Sequence, residues 1–318
     1  SDSGSSEVKD LVPLGWFSEK HDNRLFDYIL ENIDFIVDDL EERNRILSLG
    51  LISAGGGNYK GKIRSTGDFR AQDDVLCRGI SIIGKSKFKG ILIVDGVTMI
   101  VGRSKFLDHC IFGGKVDIAG NAFFDTHILT SGELKLGGKV TVKGNIYADS
   151  PIILNGTTKM KNIRSTSSVI AKAAIFVEED LFADEFVLSK GGGEIGSITA
   201  RYVTVGFKDR AVAKRYKGVG EKRNLINPVK LIKHTNSSIW HMISRHPGGS
   251  KILQVHGNIH AEEVYLSNCV VHGDIKATNV IIGPDVTVTG MIEYSETLKF
   301  TEDTETTYRT KQIEAEKE

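Results

Sequence analysis

The runs Val116-Asp117-Ile118-Ala119-Gly120 and Leu134-Lys135-Leu136-Gly137-Gly138 decide the fold. Each alternates apolar and polar residues and then stops at glycine, which is the pattern of a short strand with one buried face and a tight corner. The same kind of run recurs along the chain. Its first apolar residues are Ile63, Ile80, Val97, Val116, Leu134, Ile152, Val169, Phe186 and Val203. The intervals are 17, 17, 19, 18, 18, 17, 17 and 17. Strand chemistry at a fixed period near 18 predicts one coil of a β-solenoid per repeat, because a single coil cannot bury its own apolar face. Phe88 and Phe106, one period apart, are expected to stack inside it.

Working outward, the first solenoid block spans about residues 51–206. The coil Val97–Lys115 (VTMIVG, then SKFLDHCIFGGK) shows two or three short β runs separated by corner residues. Before it, Phe26, Ile29, Leu30, Ile33, Ile36, Val37, Leu40 and Ile46 have helical spacing. They predict an amphipathic helical segment within residues 1–50, with Gly50 as its C-cap. Residues 1–50 hold 12 Asp/Glu against 5 Lys/Arg, net −7. Regularity breaks at residues 207–251, which carry 11 Lys/Arg against 2 Asp/Glu, net +9. This reads as a basic, partly helical insertion, with VKLIKHTNSSIWHMISRH after Pro228 as the helical part. The period returns over residues 252–300, and residues 301–318 read as an acidic frayed tail. The last 28 residues have 8 acidic and 4 basic side chains, net −4.

The whole chain has 318 residues, with 41 basic and 41 acidic side chains. The zero net charge therefore hides strong local asymmetry. Cys77, Cys110 and Cys269 are too few and too scattered for a disulfide framework or a zinc knuckle, and each lies inside a β run. A reducing compartment is the default expectation. No apolar run is long enough to span a membrane, and the polar start SDSGSSEVKD does not read as a signal peptide.

Motifs for chemistry are sparse. Gly56-Gly57-Asn58-Tyr59-Lys60-Gly61-Lys62 has phosphate-loop spacing, but Ile63 follows where Ser or Thr would hold Mg²⁺. Its context, helix before and strand after, is also reversed, so a flexible turn leading into the solenoid is the expectation. His256 and His272 are 16 apart and His109 and His127 are 18 apart, so each pair is expected in matching positions of adjacent coils. His241 and His246 have an H-x-x-x-x-H spacing, but within the insertion. Surface histidines are the reading, with no metal or other cofactor expected. No nucleophile motif of the G-x-S-x-G kind occurs, and the carboxylate pairs Asp73-Asp74 and Glu178-Glu179 read as solvated turns.

The block GNIHAEEVYLSNCVVHGDIKATNVIIGPDVTVTGMIEY repeats G-x-I-x-A at Gly257, Ile259, Ala261, then at Gly273, Ile275, Ala277, and again in part at Gly290, Ile292. It resembles the bactofilins, polymer-forming cytoskeletal proteins of prokaryotes. The resemblance implies a right-handed parallel β-helix that stacks end to end into filaments without nucleotide, in a cytoplasm; family members have one short β-helix, whereas the period of this chain gives about twelve coils in two blocks. It covers about 45 residues at the level of motif; residues 51–206 share only the period. In shape the chain also resembles the β-helical subunits or domains of large redox complexes such as formylmethanofuran dehydrogenase and glutamate synthase.

The resulting expectation is a non-enzymatic structural or scaffold protein whose partner is itself. Ile281, Val286, Val288, Ile292 and Leu298, near the terminal coil, are the candidate self-association residues. Lys208, Arg210, Lys214, Arg215, Lys217, Lys222 and Arg223 of the insertion are the candidate contacts for an acidic protein partner. An accessory subunit of an enzyme complex is the alternative. Nucleic-acid or anionic-surface binding through the insertion is a further one.

Overall fold

The computed structural model describes residues 41–207, 252–300 and 308–314. Among these the chain is all-β, and every register pairing is parallel. Coils of short strands stack into a β-solenoid of about 12 turns in all. The chain divides into two compact units, residues 1–167 and 168–318.

In the first unit each coil has three strand faces, and the strands of successive coils pair in register. One face carries the expected column, corrected at one position. Ile46 pairs with Ile63, Ile63 with Ile80, Ile80 with Thr98, Thr98 with Val116, Val116 with Leu134 and Leu134 with Ile152. The member expected at Val97 is therefore Thr98, which is 0% exposed while Val97 is 57% exposed. Moving by one residue exchanges inside for outside.

The column also begins one coil earlier than expected. Ile46–Leu49 is a strand paired with Ile63–Thr66, and Glu42–Arg43 is paired with Asn58–Tyr59. Residues 42–49 are thus not helical; Ile46-Leu47-Ser48-Leu49 alternates with period two, and the ladder to residues 63–66 satisfies its backbone. The helical expectation for residues 18–40 lies outside the described residues.

Gly50 is likewise a corner residue and not a helix cap. Its φ is +105°, and Gly67, Gly84, Gly102, Gly120 and Gly138 follow it with φ between +86° and +134°. A Cβ on Gly102 would lie 1.9 Å from the Gly84 carbonyl oxygen. The corner therefore needs glycine twice over, for left-handed backbone and for the close stacking of one coil on the next.

Behind this corner the core is aromatic. Phe88, Phe106 and Phe124 are buried in one column, with ring centroids 5.3 and 4.3 Å apart and rings nearly parallel. This is the stack expected from Phe88 and Phe106. Phe69 joins it at 5.5 Å from Phe88. On the third face, Leu92–Val94, Cys110–Phe112 and Ile128–Thr130 are buried at every position; all but Thr130 are apolar, and the Thr130 hydroxyl donates to the Gly132 carbonyl.

The second unit has a mostly aliphatic core. Val169, Phe186, Val203, Val264, Val280 and Leu298 form one column, and Ile259, Ile275 and Ile292 form another. The G-x-I-x-A repeats thus align residue for residue. Gly193–Val205 pairs directly with Leu253–Val255 and with Ile259–Leu266. Residues 207–251 consequently interrupt the chain between two coils that are themselves adjacent. The expected frayed tail is corrected in part. Arg309–Gln312 pairs with Met291–Tyr294, Tyr308 is buried, and its hydroxyl donates to the Val286 carbonyl at 2.8 Å.

Candidate interaction surfaces

The candidate contacts in the insertion, Lys208 to Arg223, lie outside the described residues, as do His241 and His246. The five C-terminal candidates, Ile281, Val286, Val288, Ile292 and Leu298, are buried, and Ile281 packs with Phe207 and Tyr265. What the second unit presents beyond them is the strand Arg309–Gln312, whose residues are exposed. Its described neighbour is on one side only. At the start of the described chain, Glu42–Arg43, Ile46–Leu49 and Ile52–Ala54 are likewise paired on one side only, all with the strand Gly57–Ala71. Leu47, Leu49 and Leu51 in this coil are exposed, Leu49 at 90%.

The glycine-rich segment at residues 56–62 is not a turn. Gly57–Ala71 is one long strand, in which Tyr59 is buried and pairs with Arg43 on one side and Cys77 on the other. The Gly57 N–H donates to the Asp74 carbonyl at 2.8 Å. A phosphate cradle needs several free N–H groups converging on one point. An extended backbone committed to ladders on both sides does not supply them.

The histidines do fall in adjacent coils. His109 and His127 meet edge to face at 5.3 Å, and His256 and His272 stack at 5.5 Å. The Asn145 N–H donates to His127 Nδ1 at 2.9 Å, so that nitrogen's lone pair is already engaged. Burial holds the His127 pKa down at about 4, with His109 and Lys161 adding to the effect. His109 and His272 are also lowered, mainly by burial. His109 Nδ1 lies 3.0 Å from Thr126 Oγ1 and 3.3 Å from Asp108 Oδ1. Among the described residues no group of three His, Cys, Asp or Glu side chains is disposed to hold a metal ion. The three thiols are buried and free, and burial pushes Cys77 and Cys269 up to about 12 and Cys110 well above its ordinary value. They stay protonated and unreactive.

The surface that sequence reading missed is a cationic strand face in the first unit. Just past the glycine corner, two outward columns run across the coils. One is Asp68, Lys85, Arg103, Asn121, Lys139, Thr157, and the other is Arg70, Lys87, Lys105, Phe123, Thr141, Lys159. Seven of these twelve positions are Lys or Arg and one is acidic, so the face is strongly positive. The signal was present in the paired runs Gly84-Lys85-Ser86-Lys87-Phe88 and Gly102-Arg103-Ser104-Lys105-Phe106, where the serine and phenylalanine point inward and the cations outward. Arg70, Lys85, Lys87, Arg103, Lys105 and Lys139 have no ion-pair partner among the described residues. Comparison of the chain with family models, with curated proteins and with solved structures finds no match.

Proposed function

We propose that this chain is a structural, non-enzymatic β-solenoid that self-associates by stacking coil on coil, in the manner of the bactofilins it resembles. The observation that supports the reading is the pair of outer strands. The coil at residues 42–54 and the strand Arg309–Gln312 each have a strand neighbour on one side only among the described residues. An outer strand offers a row of N–H and C=O groups that a further coil of the same geometry can pair with. Exposed Leu47, Leu49 and Leu51 add apolar surface at that coil. Inside each unit the same parallel pairing already holds one coil to the next, so subunit contact needs no new kind of interaction. The buried, protonated thiols fit a role without thiol chemistry.

Negative-stain electron microscopy of the purified full chain, beside light scattering over a range of salt, tests the reading. Filaments or ribbons are expected. A monodisperse monomer at high protein concentration and physiological salt overturns it.

A further inference from the structure

The cationic face joins an exposed aliphatic ridge at the glycine corner. On the near side of that corner Leu49, Thr66, Ile83, Val101 and Ala119 lie in register and point outward. Leu49 is 90% exposed, Ile83 51% and Val101 42%. Met99, two residues before Val101 on the same strand, is also exposed. Lys85 follows Ile83 across Gly84, and Arg103 follows Val101 across Gly102. Two adjacent coils, at Ile83-Gly84-Lys85 and Val101-Gly102-Arg103, therefore set an aliphatic side chain and a cation on the two flanks of one ridge. Adjacent coils repeat the pair at the strand spacing, about 4.8 Å.

The charge arrangement is costly by itself. Arg70, Lys87 and Lys105 are stacked directly above one another, as are Lys85 and Arg103. Like charges opposite each other across a ladder are destabilising. Elsewhere the molecule interleaves its charges, as in the second unit's column His260, Lys276, Glu293, Lys311. There Lys311 Nζ lies 3.6 Å from Glu293 Oε1. Unpaired stacked cations beside exposed aliphatics suit a ligand that is anionic at its surface and apolar just beneath.

We propose that this corner of the first unit is a docking surface for an anionic lipid bilayer, with Lys85, Lys87, Arg103 and Lys105 on the headgroups and Leu49, Ile83 and Val101 in the apolar boundary. Charge complementarity supplies the long-range attraction, and the aliphatic ridge supplies the short-range burial. A nucleic-acid backbone accounts for the cations but leaves the ridge in water. The in-register columns also set the cations of adjacent coils on one side of the sheet, so that several can meet the same headgroup layer. The four cations lie on strands paired on both sides, whereas Leu49 belongs both to this site and to the outer coil proposed for self-association.

The test is co-sedimentation of the full chain with vesicles of phosphatidylcholine, with and without about 30% phosphatidylserine. Binding is expected only with the anionic lipid, and it weakens as salt rises. Charge reversal at Lys85, Lys87, Arg103 and Lys105 is expected to lower partitioning by about 100-fold or more. The milder pair Lys87→Gln and Lys105→Gln, far less demanding on folding, is expected to lower it by about tenfold. Ile83→Asn with Val101→Asn keeps every charge and is also expected to lower it by about tenfold. Glu at Lys214, Arg215, Lys222 and Arg223 leaves the dependence on the face intact. Three results overturn the proposal. One is binding that ignores the face variants and follows only the insertion. Another is vesicle binding untouched by the two Asn substitutions. The third is a face that changes affinity for a single-stranded oligonucleotide but not for vesicles. Far-ultraviolet circular dichroism of each variant separates lost binding from lost fold.

Discussion

The two units solve the same packing problem with opposite surfaces. The described residues of the first unit hold 19 Lys/Arg against 11 Asp/Glu, net +8. Those of the second hold 7 against 13, net −6. Their interiors differ as well, with a phenylalanine stack and a column of left-handed glycines in the first and mostly aliphatic columns in the second. The backbone ladder is common to both. What a coil requires is an inward apolar column and a passable corner. Its outward residues are free to vary, and there the units differ in the sign of their charge.

The sharpest way to break the comparison is to empty the aromatic stack. Phe106 is 0% exposed and lies between Phe88 and Phe124. Phe106→Ala is expected to cost about 3–5 kcal/mol. Val264→Ala, equally buried in the second unit, removes far less volume and is expected to cost about 2 kcal/mol. Hydrogen exchange followed by mass spectrometry reads both. Loss of protection should centre on the coils around the substitution in each case, because a solenoid's contacts are between neighbours. Equal, chain-wide loss from both variants would show that the units do not differ in this way.

Next comes the glycine corner, which belongs to the first unit. Gly102→Ala meets both a φ of +130° and the Gly84 carbonyl. It is expected to cost about 3 kcal/mol or more, measured as a drop in the denaturant midpoint. Ala at this site with an unchanged midpoint would mean that the corner is not under the strain its geometry implies.

How much of this was legible beforehand follows from what repeats. The period near 18 was visible because buried columns demand an apolar residue once per coil, and it located most of the inward residues. It failed at Val97 because Thr98, a small β-branched residue, sits inward with its hydroxyl buried, and an apolar-residue search steps over it. The interval of 19 that followed was the trace of that slip, since Ile80 to Thr98 to Val116 gives 18 and 18. Ile46 fits a helix as well as a strand in the sequence, because a run of four alternating residues also satisfies a loose helical spacing. Gly50, 17 before Gly67, was the better guide. The tail strand Arg309–Gln312 was hidden because its residues are polar and outward, with only Tyr308 and its hydrogen bond marking it. The cationic face was in plain sight as GKSKF and GRSKF. No linear segment there is strongly charged, and only the register gathers cations from separate coils onto one face.

A smaller effect is acid sensitivity, which lowered histidines bring to both units and which is clearest at His127. In the first unit His127 is held neutral to about pH 4 by burial, whereas an unfolded histidine titrates near 6.5. Below that value the unfolded chain binds a proton that the folded chain refuses, so stability falls as pH drops from about 6.5 to 4. His127 is part-exposed, so screening reduces the effect to about 1–2 kcal/mol. His109 shifts in the same direction. His127→Gln should flatten the pH dependence of the denaturant midpoint in this window. A slope unchanged by the substitution would assign the acid sensitivity to other groups, such as His109; Asp74, whose pKa burial raises, works in the opposite direction.

The finest test concerns the outward charges themselves. Lys87 and Lys105 face each other across a ladder with Arg70 beyond, and none has a partner among the described residues. Replacing both lysines with glutamine removes repulsion and keeps the aliphatic stems that cover the strand. The double variant is expected to be a few tenths of a kcal/mol more stable than the parent at low salt and indistinguishable from it at high salt. The denaturant midpoint measured at both salt concentrations gives the answer. In the second unit Glu185 and Glu263 are separated in their column by Tyr202, so Glu185→Gln with Glu263→Gln should bring no such gain. A gain in both units would make general charge reduction the cause. A gain in the first alone would mean that the cationic face is kept at a standing cost to the fold, which is the mark of a surface retained for something it binds.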